Sequence, residues 1–241
     1  MYPMTYPRQP SLPILLRRLR DTAVITALAL CSALACAGRP LVSETADVIG
    51  AGGCELETSV ARQVEPNHPK ASMADAQFAC GLGGHSQFGL LFGGTRSADG
   101  TDRLLAFVGK TNLVEPAEGR TGFGLAYSIW TGQDAGESWR HAGSRLYGIA
   151  SRELAPQLLG HLNLGWLRSQ RRDHTTWSLG IQREGALGWA VDLFGDDRSR
   201  PWLSGGLIAS PVDKFSVNLS LAQRIAPAPA RLWTLGAKIE F

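Results

Sequence analysis

The sequence predicts an all-β protein: a 12-stranded antiparallel transmembrane β-barrel of the outer-membrane type, following an N-terminal signal peptide. Three observations carry this. An arginine-rich, apolar leader precedes residue 38, the remaining chain alternates apolar and polar residues with a period of two, and the final strand ends on an aromatic residue. Composition agrees, with 44% hydrophobic and 19% charged residues and 28 Gly in 241. Soluble domains carry more charge (about 25%) and less glycine (about 7%). No run of 18 apolar residues lies beyond residue 37, so any passage through a membrane must use strands rather than a helix.

Residues 1–37 read as a secretory signal peptide. Arg8, Arg17, Arg18 and Arg20 form a positive start, Ala23 to Ala35 is an apolar stretch, and Ala35-Cys36-Ala37 supplies a small-x-small cleavage pattern. The apolar stretch is too short to cross about 30 Å of hydrocarbon at roughly 1.5 Å per residue. The leader holds four of the 24 basic residues and one of the 21 acidic ones, so the remainder is formally neutral. A neutral exported chain excludes the nucleic-acid class of partner. Residues 38–51 are assigned to a periplasmic N-terminal segment and 52–241 to the barrel.

Twelve strands are expected near 52–63, 73–83, 86–95, 102–111, 120–131, 138–152, 157–168, 174–184, 187–195, 201–209, 213–225 and 231–241. The alternation is plainest in Leu158, Gly160, Leu162, Leu164 and Trp166 against His161 and Asn163, and in Phe215, Val217, Leu219 and Leu221 against Ser216, Asn218 and Ser220. Most of these segments have the length that a tilted strand needs to span a bilayer, about 9–11 residues, rather than the 5–6 common in soluble sheets. Connections alternate between polar loops (TRSADGTD, GQDAGES, RSQRRDH, DDRSRP, IAPAPAR) and tighter turns (GGHS, ELAP, EGA, SPVD), with the longer NLVEPAEGR as the exception. Long outer loops and short periplasmic turns produce that alternation.

With residue 52 on the periplasmic side, Trp130, Trp139, Trp166, Trp177, Trp202 and Trp233 fall beside outer loops, and of these Trp130, Trp139, Trp166, Trp177 and Trp233 are assigned to an aromatic girdle; Trp189 alone falls beside a periplasmic turn. In the last strand Trp233, Leu235, Ala237, Ile239 and Phe241 alternate with Thr234, Lys238 and Glu240. Terminal Phe241 resembles the aromatic assembly signal by which barrel-assembly machinery receives outer-membrane barrels.

Cys31 and Cys36 leave with the leader, and Cys54 and Cys80 remain in an exported chain where disulfides persist. A hairpin folded about Asn67 pairs residues whose numbers sum to 134, which places Cys54 opposite Cys80 and predicts a disulfide between them.

If the apolar faces meet lipid, the interior receives Glu55, Glu57, Asp75, His161, Asn163, Asp192, Asn218, Arg224 and Lys238, with Gln77, Gln182 and Glu240. Mixed signs imply ion pairs across the lumen, because buried charges need partners. Twelve strands fall between eight-stranded barrels with filled interiors and sixteen-stranded open channels, so strand number leaves both a conduit and a plugged lumen open. No GxSxG surrounds any serine, and no nucleophile, base and orienting group share a recognisable motif, which leaves an outer-membrane lipid-modifying enzyme as the least favoured class. His68, His85 and His174 lie in loops or turns with no second ligand nearby in sequence, so no metal or cofactor is expected. Arg168, Arg171 and Arg172 form a basic loop suited to lipopolysaccharide, which joins outer-membrane lipid among the expected partners.

The stretches RPLVSETADVIGAGGCELETSV, VDLFGDDRSRPWLSGGLIASPVDKFSVNLSLAQR and LWTLGAKIEF resemble the outer-membrane β-barrel family of the phenol meta-degradation pathway type. In that family an acidic pair follows the leader; here Glu44 and Asp47 stand in its place, separated by Thr45 and Ala46. The resemblance implies a barrel in the outer membrane of a Gram-negative-type bacterium and a porin-like or transporter-like passage for small molecules, hydrophobic or aromatic ones among them. It supplies no catalytic residues. The alternative is a structural or interaction barrel with a plugged lumen and partner-binding outer loops.

Overall fold

The computed structural model describes residues 42–66, 68–83, 85–98, 100–169 and 171–241. The expected signal peptide and residues 38–41 lie outside them. Among the described residues the strands are β1 (Cys54–Val64), β2 (Ala71–Gly83), β3 (Ser86–Ser97), β4 (Gly100–Val114), β5 (Gly122–Gln133), β6 (Arg140–Ala155), β7 (Leu158–Ser169), β8 (Arg172–Arg183), β9 (Leu187–Asp196), β10 (Trp202–Val212), β11 (Phe215–Arg224) and β12 (Arg231–Glu240). Each pairs antiparallel with its sequence neighbours, and β12 returns to β1 to close a barrel. The closing seam runs from Glu55 opposite Glu240 to Val64 opposite Arg231. Below it, the Cys54 and Phe241 backbones exchange two hydrogen bonds of 2.8 and 2.9 Å. Closure removes every sheet edge, the condition for backbone polar groups to sit in hydrocarbon.

Period-two alternation gives the wall two faces. In β7, His161, Asn163 and Leu167 are buried while Leu162, Leu164 and Trp166 stand 53%, 61% and 41% exposed. The same outward apolar band continues through Val60, Phe78, Leu90, Phe107, Ile129, Leu146, Leu179, Leu203, Leu219 and Leu235, all exposed. A continuous apolar belt of that extent is stable only against lipid.

The expected register of the first hairpin is present, with Cys54 opposite Cys80 and a disulfide joining them. Phe241 turns outward at the turn-bearing rim, 58% exposed, its ring 6.0 Å from that of Phe78. Trp166 and Trp233 face outward near the loop-bearing rim, Trp139 lies exposed just before β6, and Trp177 sits on the outward face of β8. Trp130 does not belong to the girdle. In β5 the even positions Gly122, Gly124, Ala126 and Ser128 point inward and Phe123, Leu125 and Ile129 outward, so Trp130 is carried into the lumen and is 6% exposed. Trp202, at 7%, is likewise interior.

The sequence assigns residues 38–51 to a periplasmic N-terminal segment and leaves open whether it folds inward; residues 42–50 run up inside the barrel.

Candidate functional site

The lumen has three levels: a polar chamber at the turn-bearing end, segment 42–50 across the middle, and an apolar packing toward the loops.

The segment is held by side chains from five strands, one of which is braced by a sixth. It leaves the wall at Gly53, where the Gly52 N–H donates to the Gly81 carbonyl (3.1 Å) and the Gly81 N–H to the Gly53 carbonyl (3.0 Å). Gly81 is required for this exit, since a Cβ there would lie 2.2 Å from the carbonyl oxygens of both Ile49 and Gly50. Higher up, the Ile49 N–H donates to Gln87 Oε1 (2.7 Å). The Ala46 N–H donates to Ser151 Oγ (2.8 Å), and Asn112 Nδ2 donates to the Ala46 carbonyl (2.9 Å). Asn163 meets Glu44 as a strand partner would: its Oδ1 accepts from the Glu44 N–H (2.6 Å) and its Nδ2 donates to the Glu44 carbonyl (3.1 Å). Ser178 Oγ donates to the same Oδ1 (3.0 Å). At the top, Asp192 accepts from the Val42 N–H (3.0 Å), the Ser43 N–H (3.2 Å) and the Ser43 hydroxyl (2.6 Å). Lys110 neutralises the half-buried Glu44 carboxylate at 3.2 Å and also donates to the Thr45 carbonyl (3.3 Å). An unpaired backbone inside a barrel costs what a lost hydrogen bond costs, and these side chains supply the missing ladder.

Below the segment lies a chamber of about 980 Å³, walled by Glu55, Glu57, Lys238 and Glu240 on one side and by Glu44 to Gly50 on another, and reaching the turn residues Glu184, Asp213 and Lys214. Lys238 pairs with Glu240 at 2.6 Å and approaches Glu55 at 3.9 Å. At the rim, burial pushes the Glu184 carboxyl above its ordinary range, with the Asp47 and Glu153 carboxylates adding to it and Lys238 opposing.

Above the segment apolar clusters fill much of the interior, with Arg145 and the Arg224–Glu65 pair beside them. Met73, Phe194, Trp202, Ala222 and Leu232 form one cluster on which Val42 packs; Leu91, Ala106, Val108, Trp130 and Leu167 form another. Ala46 joins Ala126, Tyr147 and Ile149 between them. The Phe194 and Trp202 rings stack at 6.4 Å.

The interior residues named from sequence thus divide. Asn163 and Asp192 hold the segment directly, and His161 supports it through a 3.0 Å contact of Nδ1 with Ser151 Oγ. Glu55 and Lys238 line the chamber with Glu57. Asp75 accepts from Ser59 Oγ (2.9 Å), and Arg224 pairs with Glu65 while lying over Trp202. Asn218 is buried against Gly236, away from the segment. Glu44 is singled out in the sequence only as one of an acidic pair; the residues missed are Ser43 and Ala46 on the segment, and Gln87, Lys110, Asn112, Ser151 and Ser178 on the wall. The one sequence signal of the wall residues is parity, each falling on the inward face of its strand.

Ser151, His161 and Asn163 lie together, the residue types of a lipid hydrolase. All three are buried on the luminal face, 3%, 2% and 2% exposed, and Ser151 Oγ is engaged by the Ala46 amide, so lipid does not reach them. His174, Asp196 and Asp197 also gather near the outer loops, with ligand atoms within 4.8 Å of one another. Asp196 is occupied with capping the Arg198 and Ser199 amides (both 2.7 Å) and Asp197 with the Thr175 amide (3.1 Å).

A closed twelve-stranded barrel with an apolar exterior and a chain segment inside its lumen defines the class: a β-barrel of the outer-membrane type. The chain belongs to the family described as uncharacterised conserved protein UCP029691, whose match spans residues 24–241. No curated protein matches it. Among solved structures it is similar to the KdgM porin in complex with disordered oligogalacturonate (TM-score 0.60, 9% identity, 78% of this chain and 99% of that one). It is also similar to the CymD monoaromatic hydrocarbon channel (0.50, 9%, 80% and 89%) and to outer membrane phospholipase A from Escherichia coli (0.51, 9%, 77% and 92%). At these identities the likeness is one of fold.

Proposed function

We propose that this protein is a gated outer-membrane passage for small molecules, with residues 42–50 as its gate. The observation that carries the proposal is the segment itself, docked across the lumen on side chains from β3, β4, β6, β7 and β9 with a polar chamber of about 980 Å³ open beneath it. In this reading the docked segment closes the path, and its release joins the chamber to the outer half.

The solute class follows from that outer half. Its lining of Trp130, Trp202, Phe194, Leu167 and Met73 favours small apolar or aromatic molecules, whose rings can also pack beside the guanidiniums of Arg145 and Arg224. The resemblance to barrels of the phenol meta-degradation type and the fold shared with a monoaromatic hydrocarbon channel support the same class. The leader is in keeping with delivery to the outer membrane.

Swelling of proteoliposomes in a small aromatic solute tests this. Release of the segment by Asp192→Ala is expected to speed entry of the aromatic solute more than that of an oligosaccharide. Equal rates for wild type and variant with every solute favour the second reading, a structural barrel, for which the packed apolar clusters are the specific observation.

A further inference from the structure

The outer surface carries a charged patch that the passage does not use. On the outward face of β1, β2 and β3, Arg62 is opposite Ser72, and Ser72 is opposite Arg96. One row lower, Ala74 is opposite Gly94, and Gly94 is opposite Arg103 of β4. Alternation fixes the direction of each: Ala61, Gln63, Thr95 and Ala106 are buried, whereas Arg62, Arg96 and Arg103 are exposed. Neighbouring strands lie about 4.8 Å apart, so the Cα atoms of Arg62 and Arg96 are roughly 10 Å apart, with only the small Ser72, Ala74 and Gly94 between the three guanidiniums.

These arginines differ from others at the same rim. Arg140 is engaged by Asp134 and Glu137, Arg168 approaches Asp173 at 3.9 Å, and Arg224 is paired with Glu65. Arg62, Arg96 and Arg103 have no ion pair or hydrogen bond among the described residues, and no outward position of β12, β1, β2, β3 or β4 is acidic. Directly beneath them, Val60, Phe92 and Leu105 begin the lipid-facing apolar band, so the charges stand at headgroup height. Guanidinium groups bind phosphate in bidentate fashion, and three around a shallow patch suit a headgroup bearing more than one phosphate.

We propose that Arg62, Arg96 and Arg103 form a binding site for a diphosphorylated glycolipid of the outer leaflet, its phosphates on the arginines and its acyl chains along Val60, Ala74 and Phe92. The proposal rests on the outer-membrane reading, in which the loop-bearing rim faces outward, and it moves the glycolipid contact from the 168–172 loop to the opposite side of the barrel.

The test is native mass spectrometry of the refolded mature chain with diphosphoryl lipid A, its dephosphorylated form, or phosphatidylglycerol. The gel shift between boiled and unboiled samples reports the barrel independently of lipid. Wild type is expected to retain diphosphoryl lipid A in preference to both others. At roughly a factor of five per arginine, Arg62→Gln/Arg96→Gln/Arg103→Gln is expected to bind about a hundredfold more weakly, and Arg96→Gln alone about fivefold. The acid-paired comparison Arg140→Gln/Arg168→Gln is expected to bind as wild type does. Undiminished binding by the folded triple variant overturns the proposal. Equal retention of the dephosphorylated lipid, or of phosphatidylglycerol, overturns it as well.

Discussion

Replacing Asp192 with Ala removes the highest anchor of the luminal segment while leaving the strand that bears it intact. The carboxylate accepts three hydrogen bonds, from the Val42 and Ser43 amides and the Ser43 hydroxyl, at 3.0, 3.2 and 2.6 Å. Bonds to a charged group contribute about 1.5 kcal/mol each at the low end of their range, or about 4 kcal/mol for three. Alanine also relieves the cost of burying a carboxylate that is 1% exposed, which brings the net loss to about 2–4 kcal/mol. At 1.4 kcal/mol per tenfold, the ratio of docked to released segment falls roughly 30- to 1000-fold. The assay is labelling of Val42→Cys by a membrane-impermeant maleimide; the native cysteines are bonded to each other and do not compete. Labelling is expected to quicken by at least an order of magnitude in the Asp192→Ala background. An unchanged rate with the barrel folded would refute the claim that Asp192 holds the segment.

Three further outcomes follow from the same geometry. Gly180→Ala places a Cβ 2.6 Å from Asp192 Oδ1 and 2.8 Å from Ser43 Oγ, so it too should raise Val42→Cys labelling, whereas Gly148→Ala, whose nearest contact is 3.9 Å, should not. Cys54→Ser/Cys80→Ser opens a loop with a sequence separation of 26, and should destabilise the barrel by about 3 kcal/mol in urea titrations of bilayer-folded protein. Leu164→Arg puts a charge on the outward face of mid-β7, at a position 61% exposed, and should cost about 2–4 kcal/mol of folding stability in lipid vesicles; a cost near zero would remove β7 from the bilayer.

The wall was legible in the sequence because a strand shows both faces within a few residues. Alternation such as Leu162, Leu164 and Trp166 against His161 and Asn163 gives the existence of β7 and its inward face together, and the hairpin sum that pairs Cys54 with Cys80 needs only one turn position. Trp130 was misplaced because it was assigned by its height near an outer loop, although the parity of β5 decides which side it takes. The luminal segment was harder to see for a different reason. Residues 42–50 have no period of their own, and their partners are one or two residues on each of five strands, 38 positions away in Gln87 and 150 in Asp192. A glycine kept small for a close approach, such as Gly81 or Gly180, looks in sequence like any other glycine of a strand. Alternation therefore names the inward residues without saying which of them face each other and which face a thirteenth, strand-like segment between them.

The central claim is that residues 42–50 gate a path through the barrel, and single-channel recording of the refolded mature protein in planar bilayers tests it most directly. The account predicts a wild type that is closed or opens rarely, Asp192→Ala and Gly180→Ala variants with discrete and more frequent steps, and block of those steps by a small aromatic solute. Silent bilayers from both variants, with the barrel folded and Val42→Cys freely labelled, would contradict it.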